Sequence, residues 1–549
     1  MSSLLYYGMM GPLGLAEVCP SAVVLFTTAA VVVLVLVRLR RHLQTKKPFS
    51  GIPMAPDSQW LFGHLHLLFA ADNNFEEAMT TIHKSTNEYG VTGLWVGRHP
   101  VLSVSNVDTA RMILQTSSQR HPPAVLKRFL AKFVGNCNIV TLNGAEWKFH
   151  RNIVASTFNE TFLMDSRRIM RQVAESMVHA LSAKIRRSSR RTTCIDLENT
   201  MKLVAMDIFG LISLGTDLGS CRRLTPTPLV KAFDFLMEEL MDRVRSPWRP
   251  RHLFYIIPTT QNRRQRRERR VIRSFVADLL NEKRDILKDG DRDLLSHLVL
   301  AHYAMMNNET ENSSRRRQLT PRDVSDESIT DVLMTLLLAG HHTTSATLTF
   351  ALYLMAKHPE LQQICVQEIR AVASIDENMD QLVYCSAVIW ETLRLFPPAV
   401  RTGRSLERPV QIGNFVAPTL TRVQIPIWSI HHDEAVFPQP ECFRPDRWAI
   451  PDNNNNTARW TERTETDTSR SIAAGNRKAM LAFSTGARSC VGQKFALQEA
   501  VIVLATLLKD LEFHLVPGHQ FKTSTNRFLL RPAESLPLAV SLRQPQQQQ

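Results

Sequence analysis

The sequence predicts a mainly helical protein, one large domain behind a single amino-terminal membrane helix. Three observations carry this. Residues 21–37, SAVVLFTTAAVVVLVLV, form an apolar run without a charge. The middle of the chain is mostly helical in pattern, and its clearest segment, 325–359, is apolar nearly all round over 332–354. No Gly/Ser-rich linker or internal repeat divides the 549 residues. Length alone would point to about three or four domains, but nothing marks their borders.

The apolar run is at the short end for a helical span. A cleaved signal peptide is the alternative, but the run exceeds the usual apolar core of about 7–15 residues and no basic stretch precedes it. Before Val37 the only charge is Glu17, whereas Arg38, Arg40, Arg41, Lys46 and Lys47 follow. Basic flanks stay cytosolic, so residues 1–20 are expected on the lumenal side and the remainder in the cytosol. Residues 38–58 contain Pro48, Pro53 and Pro56; proline resists helix continuation, so this is a stiff hinge. The main body is expected over 59–540, with a polar loop insertion at 452–478 and a disordered tail at 541–549 ending in QQQQ.

The net charge of +15 would suit nucleic acid, an anionic membrane or an acidic partner. Its arginine runs, RRQRRERR (263–270), RRSSRR (186–191) and RRR (315–317), carry no interleaved aromatics for base stacking. They read as solvated faces, and nucleic acid is not an expected partner. The eight cysteines are scattered and form no CxxC pair, which fits a reducing compartment better than a disulfide framework.

The long helix has Ser325 or Asp326 as its cap and Pro359 at its end. A second membrane span would have to bury His341 and His342, so this is a central buried helix. Within AGHHTTS (339–345), Gly340 weakens the helix. The Thr343 hydroxyl can bond back to the carbonyl of Ala339 and open a groove for a diatomic ligand. Alone, the segment reads more readily as a Thr-rich buried helix than as a ligand groove. Adjacent helical residues point about 100° apart, so His341 and His342 are not expected to ligate one ion.

Further on, Glu391 and Arg394 lie three apart among apolar neighbours and should pair in a partly buried setting. The arginine needs further partners there, and Arg447 in CFRPDRW is a candidate third member. An ExxR alone is most often a surface ion pair.

Cys490 stands in FSTGARSCVGQKFA (483–496), where Gly486 and Gly492 permit a tight bend and close approach of a flat cofactor. Helix N–H groups following it would stabilise a thiolate. With no second Cys or His nearby this is no zinc site, but one thiolate suits an axial position on haem iron. Trp147 and Arg151, in WKFHR, could bind a carboxylate.

FxxGxRxCxG at 483–492, ETLR at 391–394, FRPDRW at 443–448, AGHHTTS and WKFHR resemble the cytochrome P450 family, in the family's order. The resemblance covers about residues 50–540, and the anchor with its proline hinge is similar to the microsomal type. It implies a mainly α fold with small β-sheets and a haem-thiolate monooxygenase that oxidises a hydrophobic small molecule. Haem b would be ligated by Cys490, with Phe483 beside the loop. The propionates would be held by Trp147, Arg151, Arg404 and Arg488, with His431 as a further contact. Glu391, Arg394 and Arg447 would form a structural grid. Thr343, with Ala339 and Gly340 forming the groove, would help deliver protons to dioxygen, and Ala399 and Val400 would touch substrate. Electrons would come from NADPH through NADPH-cytochrome P450 reductase, with cytochrome b5 as a further partner, at the endoplasmic reticulum membrane. A biosynthetic tailoring role, fatty-acid hydroxylation and xenobiotic clearance are all open.

The sequence departs from the family pattern before the threonine, where His342 replaces the usual acid. Histidine also shuttles protons near neutral pH. Two other haem readings stay in view: an isomerase or dehydratase without reductase, against which Thr343 weighs, and a non-catalytic haem protein. A non-haem iron site built from His431, Asp433 and His514 or His519 would need a β-rich core and would leave Cys490 without a role.

Overall fold

The computed structural model describes residues 28–39, 51–56, 63–64, 82–83, 86, 89–96, 99–121, 124–245, 257–286, 293–307, 325–451, 460–462, 477–524 and 529–544. The chain forms two compact units, residues 1–51 and 52–549. In the first, residues 28–39 are helical and Val31 through Val37 expose their apolar side chains. Among the described residues no helix is long and apolar enough to cross a membrane. Residues 21–27 of the expected anchor and most of the 38–58 hinge lie outside them.

The second unit is mainly helical with small sheets. Its centre is the helix Asp326–Lys357, closed at its start by a reciprocal cap between Ser325 and Ser328 and followed by Pro359. Its two halves serve different cores. Val332, Leu333 and Leu337 pack with helices Leu197–Leu214, Pro228–Arg245 and Thr260–Ile286. Leu348, Leu352 and Met355 pack with Glu160–Arg187, Val383–Leu395 and Gln493–Asp510. Each such buried side chain stabilises the fold by roughly 1.5–3 kcal/mol. Between the halves the burial breaks: Leu338, Ala339, Gly340 and Thr343 are not fully covered, although the residues on either side are.

A four-stranded sheet orders Val91–Val96, His99–Val104, Arg422–Ile425 and Thr402–Ser405, with a parallel pairing only between its middle strands. It carries Arg404. A three-stranded antiparallel sheet joins Leu511–Leu515, Pro537–Leu542 and Thr192–Asp196. Its middle strand runs to Leu542, two residues into the expected tail. Of the expected insertion, 460–462 pairs with Ala449–Pro451, while 452–459 and 463–476 lie outside the described residues.

Candidate active site

The cysteine loop is fixed by steric necessity. Gly486 has φ +75°, and a Cβ there would collide with the Leu114 carbonyl oxygen. Cys490 N–H donates to the Phe483 carbonyl at 2.9 Å, and the Phe483 ring meets Trp390 edge-on. The helix Gln493–Asp510 begins just past Gly492, so the positive end of its dipole lies next to the cysteine loop in sequence. The Gly492 N–H and the charge of Arg151 both favour the Cys490 thiolate, but burial outweighs them and pushes the thiol up. Cys490 has surface area open to solvent, yet protein surrounds the sulfur closely enough for desolvation to dominate. A cation bound at the sulfur would reverse that balance.

Four guanidiniums converge nearby. Burial and mutual repulsion lower Arg120 to about 10 and Arg404 and Arg488 to about 9, and Arg151 is lowered by burial. Arg404 Nε and Arg120 Nε are buried without a partner. Like charges with orphaned donors are costly unless an anion joins them. Carboxylate groups of a bound cofactor fit this cluster. Arg488 contributes differently from the rest. It donates to the carbonyls of Ser118, Ile139 and Leu142 and to Asn143 Oδ1, and stacks on Trp147 at 3.8 Å. It therefore ties the cysteine loop to segment 118–143 and keeps little donor capacity for an anion. Arg120 was not visible in the sequence; a lone arginine in a polar loop carries no periodic signal.

Glu391 lies at the centre of a closed network. Its carboxylate accepts from Arg394 Nε at 3.0 Å and Nη2 at 2.8 Å, from Arg447 Nε at 3.1 Å, from the Arg444 N–H at 3.1 Å and from Trp448 Nε1 at 2.8 Å. Arg394 also donates to the His431 and Cys442 carbonyls, and Arg447 to those of Pro438 and Gln439. His431 is not turned towards the arginine cluster. One ring nitrogen faces the Arg394 carbonyl at 3.2 Å and the other accepts from the Leu481 N–H at 3.0 Å. Its two nitrogens are thus occupied by backbone, and it braces the grid against the cysteine loop instead of offering a donor to a propionate. Trp448 and the Arg444 N–H were missed as partners, although FRPDRW places both beside Arg447.

On the central helix, Thr343 Oγ1 donates to the Ala339 carbonyl at 2.6 Å. A Cβ at Gly340 would press Phe209 at 3.3 Å. The expected divergence of the histidine pair is corrected: the rings of His341 and His342 come to 4.5 Å, because His341 Nε2 reaches across to donate to the Lys202 carbonyl at 3.0 Å. Ala399 is half-buried, and Val400 is buried with Ala346, Phe350 and Trp428. The alternative iron triad is not assembled: among the described residues, no cluster of potential metal ligands contains His431, Asp433, His514 or His519.

The family model for Cytochrome P450 matches residues 53–538. "Cytochrome P450 4c21" of Blattella germanica is 24% identical over 95% of this chain and 99% of its own length. "Cytochrome P450 4V2" of Homo sapiens is 24% identical over 92% and 93%. "11-oxo-beta-amyrin 30-oxidase" of Glycyrrhiza uralensis is 26% identical over 86% and 84%. The family model spans most of the chain, including the cysteine loop, the grid and the central helix, and the chain belongs to the cytochrome P450 family, oxidoreductases that use a cysteine-ligated haem and reductase-supplied electrons.

Proposed function

We propose that this chain is a membrane-anchored monooxygenase that oxidises a hydrophobic small molecule at the endoplasmic reticulum. The observation that carries the site assignment is the cationic cluster adjoining Cys490, where Arg151 senses the sulfur's charge. When bound there, haem supplies the reduction of dioxygen, with two electrons and two protons consumed and one oxygen atom entering the substrate as the other leaves as water. Cys490 holds the metal. Arg120, Arg151 and Arg404 hold the propionates, with Arg488 and Trp147 fixing the loop beneath them. The Glu391–Arg394–Arg447 grid keeps the cysteine side rigid.

Thr343, backed onto Ala339, opens the helix at its least covered turn and holds a proton at Oγ1. Substrate would meet Ala399 and Val400, beside the stacked rings of Phe350 and Phe396. Such a wall favours an apolar lipid or terpenoid. One relative is named for oxidising 11-oxo-beta-amyrin, and a comparable polycyclic or acyl substrate in biosynthetic tailoring is the reading placed first here. The run at 21–37 and its basic flank support a single anchor with the catalytic body facing cytosolic NADPH-cytochrome P450 reductase and cytochrome b5.

The test is the absorption spectrum of reduced, carbon monoxide-treated protein, wild type and Cys490→Ala. A strongly red-shifted Soret band in wild type that vanishes in the variant supports the assignment. Haem-replete folded protein lacking that band in wild type would remove Cys490 as ligand. With the band established, reductase-dependent oxidation of a panel of fatty acids and triterpenoids identifies the substrate class.

A further inference from the structure

The position before Thr343 holds histidine, and its surroundings supply what the histidine lacks. His342 is buried, and its Nε2 has no hydrogen-bond partner. It lines a cavity of about 10 Å³ with Glu198, Lys202, Ser345 and Arg531, the room of roughly one water molecule. A carboxylate oxygen of Asp234 and a ring nitrogen each of His341 and His342 lie within 4.8 Å of one another. Asp234 Oδ1 is likewise buried without a partner. Each residue thus keeps one buried polar atom without a partner, which is costly, and a carboxylate oxygen and a ring nitrogen of the pair lie at a separation that one water can bridge.

Asp234 also faces outward. It lines a solvent-open groove of about 380 Å³ between helices Pro228–Arg245 and Thr260–Ile286, together with Glu238, Glu239, Gln261 and Arg264. One carboxyl group therefore stands in the wall between bulk water and the buried ring. We propose that Asp234 and His342 form the proton-supply route to the groove at Thr343, with the carboxylate on the neighbouring helix taking over the task of an acid on the central helix. Asp234 takes a proton from the groove and passes it to one nitrogen of His342. The ring releases a proton towards Thr343, and Asp234 is reprotonated from water, so each proton consumed at the groove is replaced from solvent.

The charged and titratable groups facing this pair are His341 on its own helix, Glu198 and Lys202 on Leu197–Leu214, Lys231, Glu238 and Glu239 on Pro228–Arg245, Arg264 on Thr260–Ile286, and Arg531. Glu198 pairs with Lys202 at 3.2 Å and with Arg531 at 3.5 Å, which leaves Asp234 as the carboxylate within reach of the imidazoles. Burial holds Asp234 up at about 6, so it exchanges protons close to neutral pH. His342 is held well below the ordinary histidine range by burial, with His341 and Lys202 adding to it, so the ring rests neutral, able to accept at one nitrogen while releasing from the other.

The experiment has two readouts. The ¹⁵N resonances of histidine-labelled, ferrous, carbon monoxide-bound holoenzyme are followed against pH, with His342 assigned by its loss in His342→Asn. The His342 signal should shift through the titration of Asp234, and that shift should vanish in Asp234→Asn. A His342 signal indifferent to Asp234→Asn overturns the proposal, whatever the fate of the monooxygenase assignment. In reductase-driven turnover with NADPH, Asp234→Asn should raise peroxide released per NADPH by roughly threefold or more. In a His342→Asp background, where the helix carries its own acid, the same substitution should have no further effect. An equal rise in both backgrounds would make Asp234 a structural group and sink the relay.

Discussion

Two arginine-rich networks in this molecule are built on opposite terms. In the grid, two guanidiniums surround one carboxylate, Glu391, whose oxygens accept five donors, and all three side chains are buried. In the cluster beside Cys490, four guanidiniums face one another, and two of them keep a buried Nε–H without a partner. The first network leaves one buried donor, Arg447 Nη1, without a partner and has its carboxylate satisfied by the protein alone. The second is completed only by an anion that the chain does not supply. A saturated buried network holds structure, whereas a like-charged unsaturated one marks a binding site, because its cost is borne until a ligand offsets it.

Breaking the saturated network should have the largest effect. Glu391→Ala strands two buried guanidiniums and should cost about 3–5 kcal/mol, seen as loss of folded haem-containing protein in thermal melts. The unsaturated network should behave with the opposite sign in the apoprotein. Arg404→Ala removes a buried charge repelled by Arg120, so the apoprotein should melt no lower than wild type. The haem-loaded protein should lose haem to apomyoglobin roughly tenfold faster, the loss of one charge-assisted bond.

A third test concerns Asp234. Burial raises it from the usual 3.8 to about 6, so its ionised form costs the fold. That cost appears as pH rises from 3.8 to 6 and is fully present above 6. Asp234→Asn should therefore stabilise the protein by about 3 kcal/mol at pH 8 and hardly at all below pH 4. A further pH-dependent test concerns His431, held down to about 3 by burial. Its neutral ring favours the fold above the usual 6.5, and that advantage is lost as pH falls towards 3. His431→Gln should flatten the stability profile across this window.

The sequence made these networks legible to different degrees. The Glu391–Arg394 pair follows from a three-residue spacing on one helix, and FRPDRW suggested Arg447. The other donors to Glu391 depend on how segment 438–448 wraps around the grid, which no local pattern encodes. Arg404 and Arg488 could be read from their motifs, but only the tertiary path shows that Arg488 is taken up by backbone carbonyls, or that Arg120 joins the group. The histidine pair misled for a physical reason. Helical geometry sets the Cα–Cβ directions about 100° apart, whereas long side chains can turn together when a carbonyl such as that of Lys202 attracts one of them.

The closure of the grid also has a consequence for biosynthesis. Three of the five donors to Glu391 lie 53 to 57 residues further along the chain, and His431 reaches 50 residues ahead to Leu481. Such long-range contacts require loop closure before they are rewarded. A nascent chain that has not yet passed Leu481 can hold the ExxR helix but cannot brace the loop that carries Cys490. Haem capture is therefore a late event, open only to a chain that already extends through Leu481 and the Cys490 loop to the core helix Gln493–Asp510.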